Sequence, residues 1–161
     1  MTTSCDRRHI LALSFLASAV AIHPGRALSQ GDTGYRVVRS AASFATLEAR
    51  TQEAIKSAGM NVVARASASD GAKSRGVTIR GDVVLGIFRN DFAVRMLEAN
   101  IDAGIEAPVR LHLVEEPDGT SSIRYHLPST VFGRYDGEAI KALGRELDPI
   151  FEKIVAQAAA G

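Results

Sequence analysis

The sequence predicts an α+β fold: a single antiparallel β-sheet covered by helices on one face, in the order β-α-β-β-α-β-β-α. Three observations carry this. Short runs with strand periodicity interleave with segments of helical periodicity. Most runs are joined by short links, which favours antiparallel neighbours over a doubly wound parallel sheet. Finally, Val109–Glu115 and Ser121–Leu127 flank Glu116-Pro117-Asp118-Gly119. There proline presets one dihedral angle and glycine supplies a positive one, so the pair reads as a β-hairpin.

Each element has a local cause. Tyr35–Ser40 (YRVVRS) reads as the first strand. Ser43 can accept an orphan N–H at the start of a helix. Phe44, Leu47, the methyl of Thr51, Ile55 and Ala58 then follow helical spacing, and Gly59 fits the left-handed residue that ends it. Met60–Ala66 is the second strand, and Ser67–Gly76 a polar connection rich in Ser and Gly. Asp82–Phe88 is apolar enough for a central strand. Asn90 or Asp91 starts a second helix, with Val94, Leu97 and Ile101 expected on its buried side and Gly104 at its end. After the hairpin, Asp136–Ala160 is helical in period through Ile140, Leu143, Leu147, Phe151 and Ile154. Pro149 lacks the N–H for that ladder, which predicts a kink there, or a new helix capped by Asp148.

The N-terminus has the pattern of a signal peptide over residues 1–29. Arg7 and Arg8 precede Ile10–Ile22, a small and apolar run of 13 residues. A spanning helix needs roughly 20. Pro24 and Gly25 break the run, and Ala27 and Ser29 supply the alternate small residues of a cleavage site after Ser29. The arginine pair followed by His9, Ile10 and Leu11 resembles a twin-arginine signal; an ordinary Sec signal is the alternative. The expectation is an exported, periplasmic protein with no stable membrane anchor, residues 30–34 as a short polar lead-in and 35–161 as one domain. Of 19 basic and 18 acidic residues, Arg7, Arg8, Arg26 and Asp6 fall in the leader. The remaining 16 basic and 17 acidic residues nearly cancel, which argues against nonspecific nucleic-acid binding. The single cysteine, Cys5, lies in the leader too. No disulfide, thiol nucleophile or thiolate metal site is therefore expected, and no cofactor motif is present.

Several blocks, in order, resemble the bacterial and archaeal domain-of-unknown-function family number 302. They are the Ser43-Phe44 helix start with Ala58-Gly59-Met60-Asn61-Val62, the strand Val84-Leu85-Gly86-Ile87-Phe88-Arg89-Asn90, and Gly104-Ile105-Glu106-Ala107-Pro108-Val109-Arg110. The hairpin with Asp118-Gly119 and then Tyr125-His126-Leu127-Pro128 completes the set, over about Tyr35 to Val155. The resemblance implies a compact α+β domain with a fold like one unit of the TATA-binding protein, often homodimeric, and no established activity. Two departures stand out: Ser67-Ala68-Ser69-Asp70 has no histidine where the family often has Asp-His, and Arg89-Asn90-Asp91 replaces its Gly-Asn-Pro.

The hairpin also defines a candidate site. With Pro117, Asp118 and Gly119 in the loop, Glu116 faces Thr120, His112 faces Arg124 and Arg110 faces His126. Val109, Leu111 and Leu113 then share the apolar face with Ile123, Tyr125 and Leu127, an agreement that a one-residue slip would destroy. The other face gathers Arg110, His112, Arg124 and His126, with Arg89 and Asn90 as further candidates at the end of the central strand. Arginine presents a planar fork of donors suited to carboxylate, phosphate or sulfate. The plainer reading is a solvated face neutralised by Glu48, Glu53 or Glu98, or paired across a dimer. His112 and His126 lack a third ligand at recognisable spacing for a metal. Ser129, His126 and Asp136 make a triad only on paper, without a nucleophile-elbow sequence. The functional expectation is a non-catalytic small-ligand, anion-binding or assembly domain that forms a homodimer. The alternatives are a small-molecule hydrolase using His126 or His112, and a purely structural homodimer.

Overall fold

The computed structural model describes residues 33–160; the expected leader and most of the polar lead-in lie outside them. Five strands form one sheet in the order β1-β5-β4-β3-β2, with every neighbouring pair antiparallel. They are β1 (Tyr35–Ser40), β2 (Asn61–Ser67), β3 (Asp82–Phe88), β4 (Val109–Glu115) and β5 (Ser121–His126). The helices are α1 (Phe44–Ser57), α2 (Ala68–Lys73), α3 (Asn90–Ala99), α4 (Pro128–Phe132) and α5 (Glu138–Ala159). A 3-10 helix, Ile101–Glu106, precedes β4. The α+β single-sheet architecture is the one expected.

The core follows from alternation. Val83, Leu85 and Ile87 of β3, Leu111 and Leu113 of β4, and Ile123 and Tyr125 of β5 are buried on one face of the sheet. Leu47, Ala54 and Ile55 of α1 and Ile140, Leu143, Leu147, Phe151 and Ile154 of α5 complete it. Fully burying one such side chain is worth about 1.5–3 kcal/mol, so this face outweighs local propensity along the chain. Local signals set the ends: Ser43 Oγ accepts the Thr46 N–H at 3.3 Å, and Gly59 takes φ +70° after α1.

Three expectations change. The second helix buries Phe92 and Met96, whereas Val94, Leu97 and Ile101 are 47 %, 44 % and 71 % exposed. The spacing 94-97-101 assumed a helix running past residue 100. Instead Asn100 is extended (φ −163°, ψ 113°) and its side chain caps the 3-10 turn. Ser67–Gly76 is not wholly irregular either. Ser67 caps α2 through the Asp70 N–H at 3.0 Å, and the hydroxyls of Ser67 and Ser69 donate to the Asp82 carbonyl. The last helix runs through Pro149 as one element. Leu147 and Phe151, buried on either side of the proline, hold it there. Asp148 caps a different helix: its carboxylate accepts the Ser129 N–H at 2.8 Å, at the start of α4.

Gly144 lets α4 lie against α5. A Cβ there would stand 2.8 Å from the Ser129 Cα and 3.0 Å from the Pro128 carbonyl oxygen. Gly86 does the same on the sheet, where a Cβ would meet the Pro108 ring at 2.7 Å. Both contacts bring the chain around the end of β4 and β5.

Candidate functional site: a cleft between the central strands

The hairpin has the expected register. β4 and β5 pair from Glu115–Ser121 to His112–Arg124, and the Glu116 N–H donates to the Thr120 carbonyl at 2.8 Å. Gly119 closes the turn with φ +81°. The ladder then stops. Arg110 and His126, which the same count places opposite one another, are not joined. Each strand nevertheless keeps its outer neighbour: His126 pairs with Tyr35 of β1, and Val109 with Ile87 of β3. The two inner strands therefore part at one end while the sheet continues around them.

A cavity of about 240 Å³ occupies the parting, lined by Arg110, His112, Arg124 and His126 together. Tyr35 of β1, Glu106 of the 3-10 helix and Val131 of α4 also line it, with Val84, Val109 and Tyr125 as apolar wall. The four residues singled out in the hairpin are thus brought to one place. Arg89 and Asn90 are not. The Arg89 guanidinium forms a fork with Asp91 (2.7 and 3.0 Å) and lies 4.0 Å over the Phe92 ring, engaged with the first turn of α3.

The four cluster residues differ in availability. Arg124 donates to Glu116 Oε1 at 2.7 Å and to Ser122 Oγ at 3.2 Å. Hydrogen bonds from Ser122 and Arg124 hold the nearly buried Glu116 carboxyl below the usual carboxylate range. His112 Nε2 lies 2.7 Å from Asp82 Oδ2. The partners are thus Asp82 and Glu116, not Glu48, Glu53 or Glu98. Glu48 instead takes Arg65 on the helical side. His126 stacks at a tilt on Tyr35, with ring centroids 5.2 Å apart. Arg110 is exposed, and its side chain has no hydrogen bond or ion pair among the described residues. It is the one cation of the cluster left for a ligand.

The other readings find less support in this geometry. Ser129 and Asp136 make no hydrogen bond with His126; the Ser129 N–H is held by Asp148, and the Asp136 carbonyl accepts from Asn100. Among the described residues no group of three His, Cys, Asp or Glu is placed to hold a metal ion. No described helix is long and apolar enough to cross a membrane. Tyr35, Glu106 and Val131 were not singled out from sequence. Their placement depends on β1 pairing with β5 and on α4 docking against α5, contacts between segments distant in the chain.

A five-stranded antiparallel sheet with helices packed on one face and its inner strands parted at one end defines a single-sheet α+β domain. The chain belongs to the family described as domain of unknown function DUF302, whose model matches residues 36–157. It is similar in fold to the uncharacterized conserved protein DUF302 from Bacillus stearothermophilus, seen in a crystal structure. The TM-score is 0.70 at 20% identity, over 78% of this chain and 98% of the other. No curated protein matches it.

Proposed function

We propose that this is a binding domain that takes a small anionic ligand in the cleft between β4 and β5, and that it acts outside the cytoplasm as a homodimer. The single observation that supports the binding site is Arg110. Among the described residues its guanidinium has no acidic partner, yet it lines a cavity that also holds His126 and an apolar wall. A forked donor beside apolar surface fits a carboxylate with a short hydrocarbon body better than a bare inorganic ion. The volume of about 240 Å³ is below the ~300–1,000 Å³ typical of drug-sized ligands, which limits the ligand to a smaller molecule. The leader-like N-terminus supports export, and the family resemblance supports the homodimer.

The test is a thermal-shift series on the full chain with small carboxylates, phosphate and sulfate. Short-chain carboxylates raise the midpoint of the wild type and not of Arg110→Ala. A shift of equal size in both proteins excludes the site.

One observation favours a second reading, a hydrolase. An ionised Asp82 can only accept, so it fixes His112 with Nε2–H donating and leaves Nδ1 as a base. Hydrolysis of a small activated ester, abolished in both Asp82→Asn and His112→Ala, would support it; no hydrolysis by the wild type rejects it.

A further inference from the structure

The cleft carries charge of both signs. Glu106 lines it together with Arg110 and Arg124, and one of its carboxylate oxygens, Oε1, accepts the Tyr135 hydroxyl at 3.0 Å. The other, Oε2, has no hydrogen bond among the described residues. Glu106 and Arg110 form no ion pair with each other, so each offers its charge to whatever lies between them.

The main chain repeats this polarity. In an antiparallel pair, residues alternate between turning their N–H and C=O toward one neighbour and toward the other. The Glu115 N–H bonds the Gly81 carbonyl, which turns Glu115, Leu113, Leu111 and Val109 toward β3 and Arg110 toward β5. The Leu127 N–H bonds the Gly34 carbonyl, which by the same count turns His126 toward β4. Because the ladder stops at His112–Arg124, the main-chain donors and acceptors of Arg110 and His126 face each other across the gap without pairing. A ligand that only accepts satisfies half of these groups. A ligand that both donates and accepts at short separation satisfies both kinds.

We propose that the cleft binds a small zwitterion, an α-amino acid with an apolar side chain. This rests on the ligand-binding reading above and makes it more specific. The ligand carboxylate lies on the Arg110 guanidinium. Its ammonium lies on Glu106 Oε2, beside the face of Tyr35, where an aromatic ring attracts a cation. Its side chain lies on Val84 and Val131. A plain carboxylate reaches only the first of these partners, and a plain amine only the second.

The experiment is calorimetric titration of the full chain with three compounds of one carbon skeleton: L-leucine, 4-methylpentanoate, which lacks the ammonium, and isopentylamine, which lacks the carboxylate. Leucine is expected to bind about tenfold more tightly than 4-methylpentanoate, the effect of one charge-assisted hydrogen bond. Glu106→Gln, which keeps an acceptor for Tyr135, is expected to remove that advantage and leave 4-methylpentanoate unchanged. Arg110→Ala is expected to weaken both acids. If leucine and 4-methylpentanoate bind equally and both depend on Arg110, the zwitterion is wrong and the anion site stands. If neither acid binds, or if Arg110→Ala changes nothing, both readings fall.

Discussion

Arg110 and His126 stand opposite one another on adjacent central strands, yet no ladder pair joins them, because β4 and β5 part after His112 and Arg124. Strands inside a sheet rarely leave main-chain groups unpaired without another use for them. Here the outer neighbours hold each strand in place while the inner edge opens. The cleft therefore belongs to the sheet rather than to a loop, and a ligand would meet groups fixed by secondary structure.

The approach of α4 to α5 should be sensitive to Gly144. Adding a Cβ there forces it against the Ser129 backbone at 2.8 Å, which cannot yield as a flexible side chain would. Gly144→Ala is expected to destabilise the fold by about 1–3 kcal/mol, the usual range for overpacking. Denaturant unfolding measures this, and ligand affinity should fall as well, because Val131 moves with α4.

The buried side of α3 yields a contrast between two residues. Met96→Ala removes a side chain that is 4 % exposed, and is expected to cost about 2–5 kcal/mol. Ile105→Ser alters one that is 82 % exposed, and should stay within about 0.5 kcal/mol. Equal effects in equilibrium unfolding would contradict the burial described for Met96 in α3 and the exposure described for Ile105 in the 3-10 helix.

Glu116 ties the hairpin turn to Arg124, and its folded-state pKa lies below the ordinary value of 4.5, first through the Ser122 hydroxyl and then through Arg124. For a carboxyl lowered by folding, the stabilisation is complete above the unfolded pKa and is lost as pH falls through the folded one. Acid titration of stability should therefore fall less steeply below about pH 4.5 in Glu116→Gln than in the wild type. The variant should be less stable at neutral pH, where the bond to Arg124 is charge-assisted in the wild type only.

The parts of the fold that were legible from sequence have local causes. The hairpin register followed from two strands agreeing on one apolar face, and Ser43 and Gly59 marked the ends of α1 because their side-chain and backbone chemistry suits those places. Val94, Leu97 and Ile101 misled because their spacing is helical but the helix stops at Asn100. A periodic pattern cannot show where a neighbouring element lies. The gathering of Arg110, His112, Arg124 and His126 was legible for the same reason as the hairpin. That the ladder opens between two of them, and that Tyr35 and Glu106 border the opening, depends on β1, the 3-10 turn and α4. No short stretch of sequence records those contacts.

The gap between β4 and β5 is proposed here as a ligand site held by Arg110. The most direct measurement is a proton–nitrogen NMR titration of the full chain with 4-methylpentanoate. Binding in the gap predicts saturable shifts of the Arg110 and His126 backbone amides, the strongest in the spectrum, which disappear in Arg110→Ala. Shifts centred elsewhere, or unchanged in that variant, would contradict it.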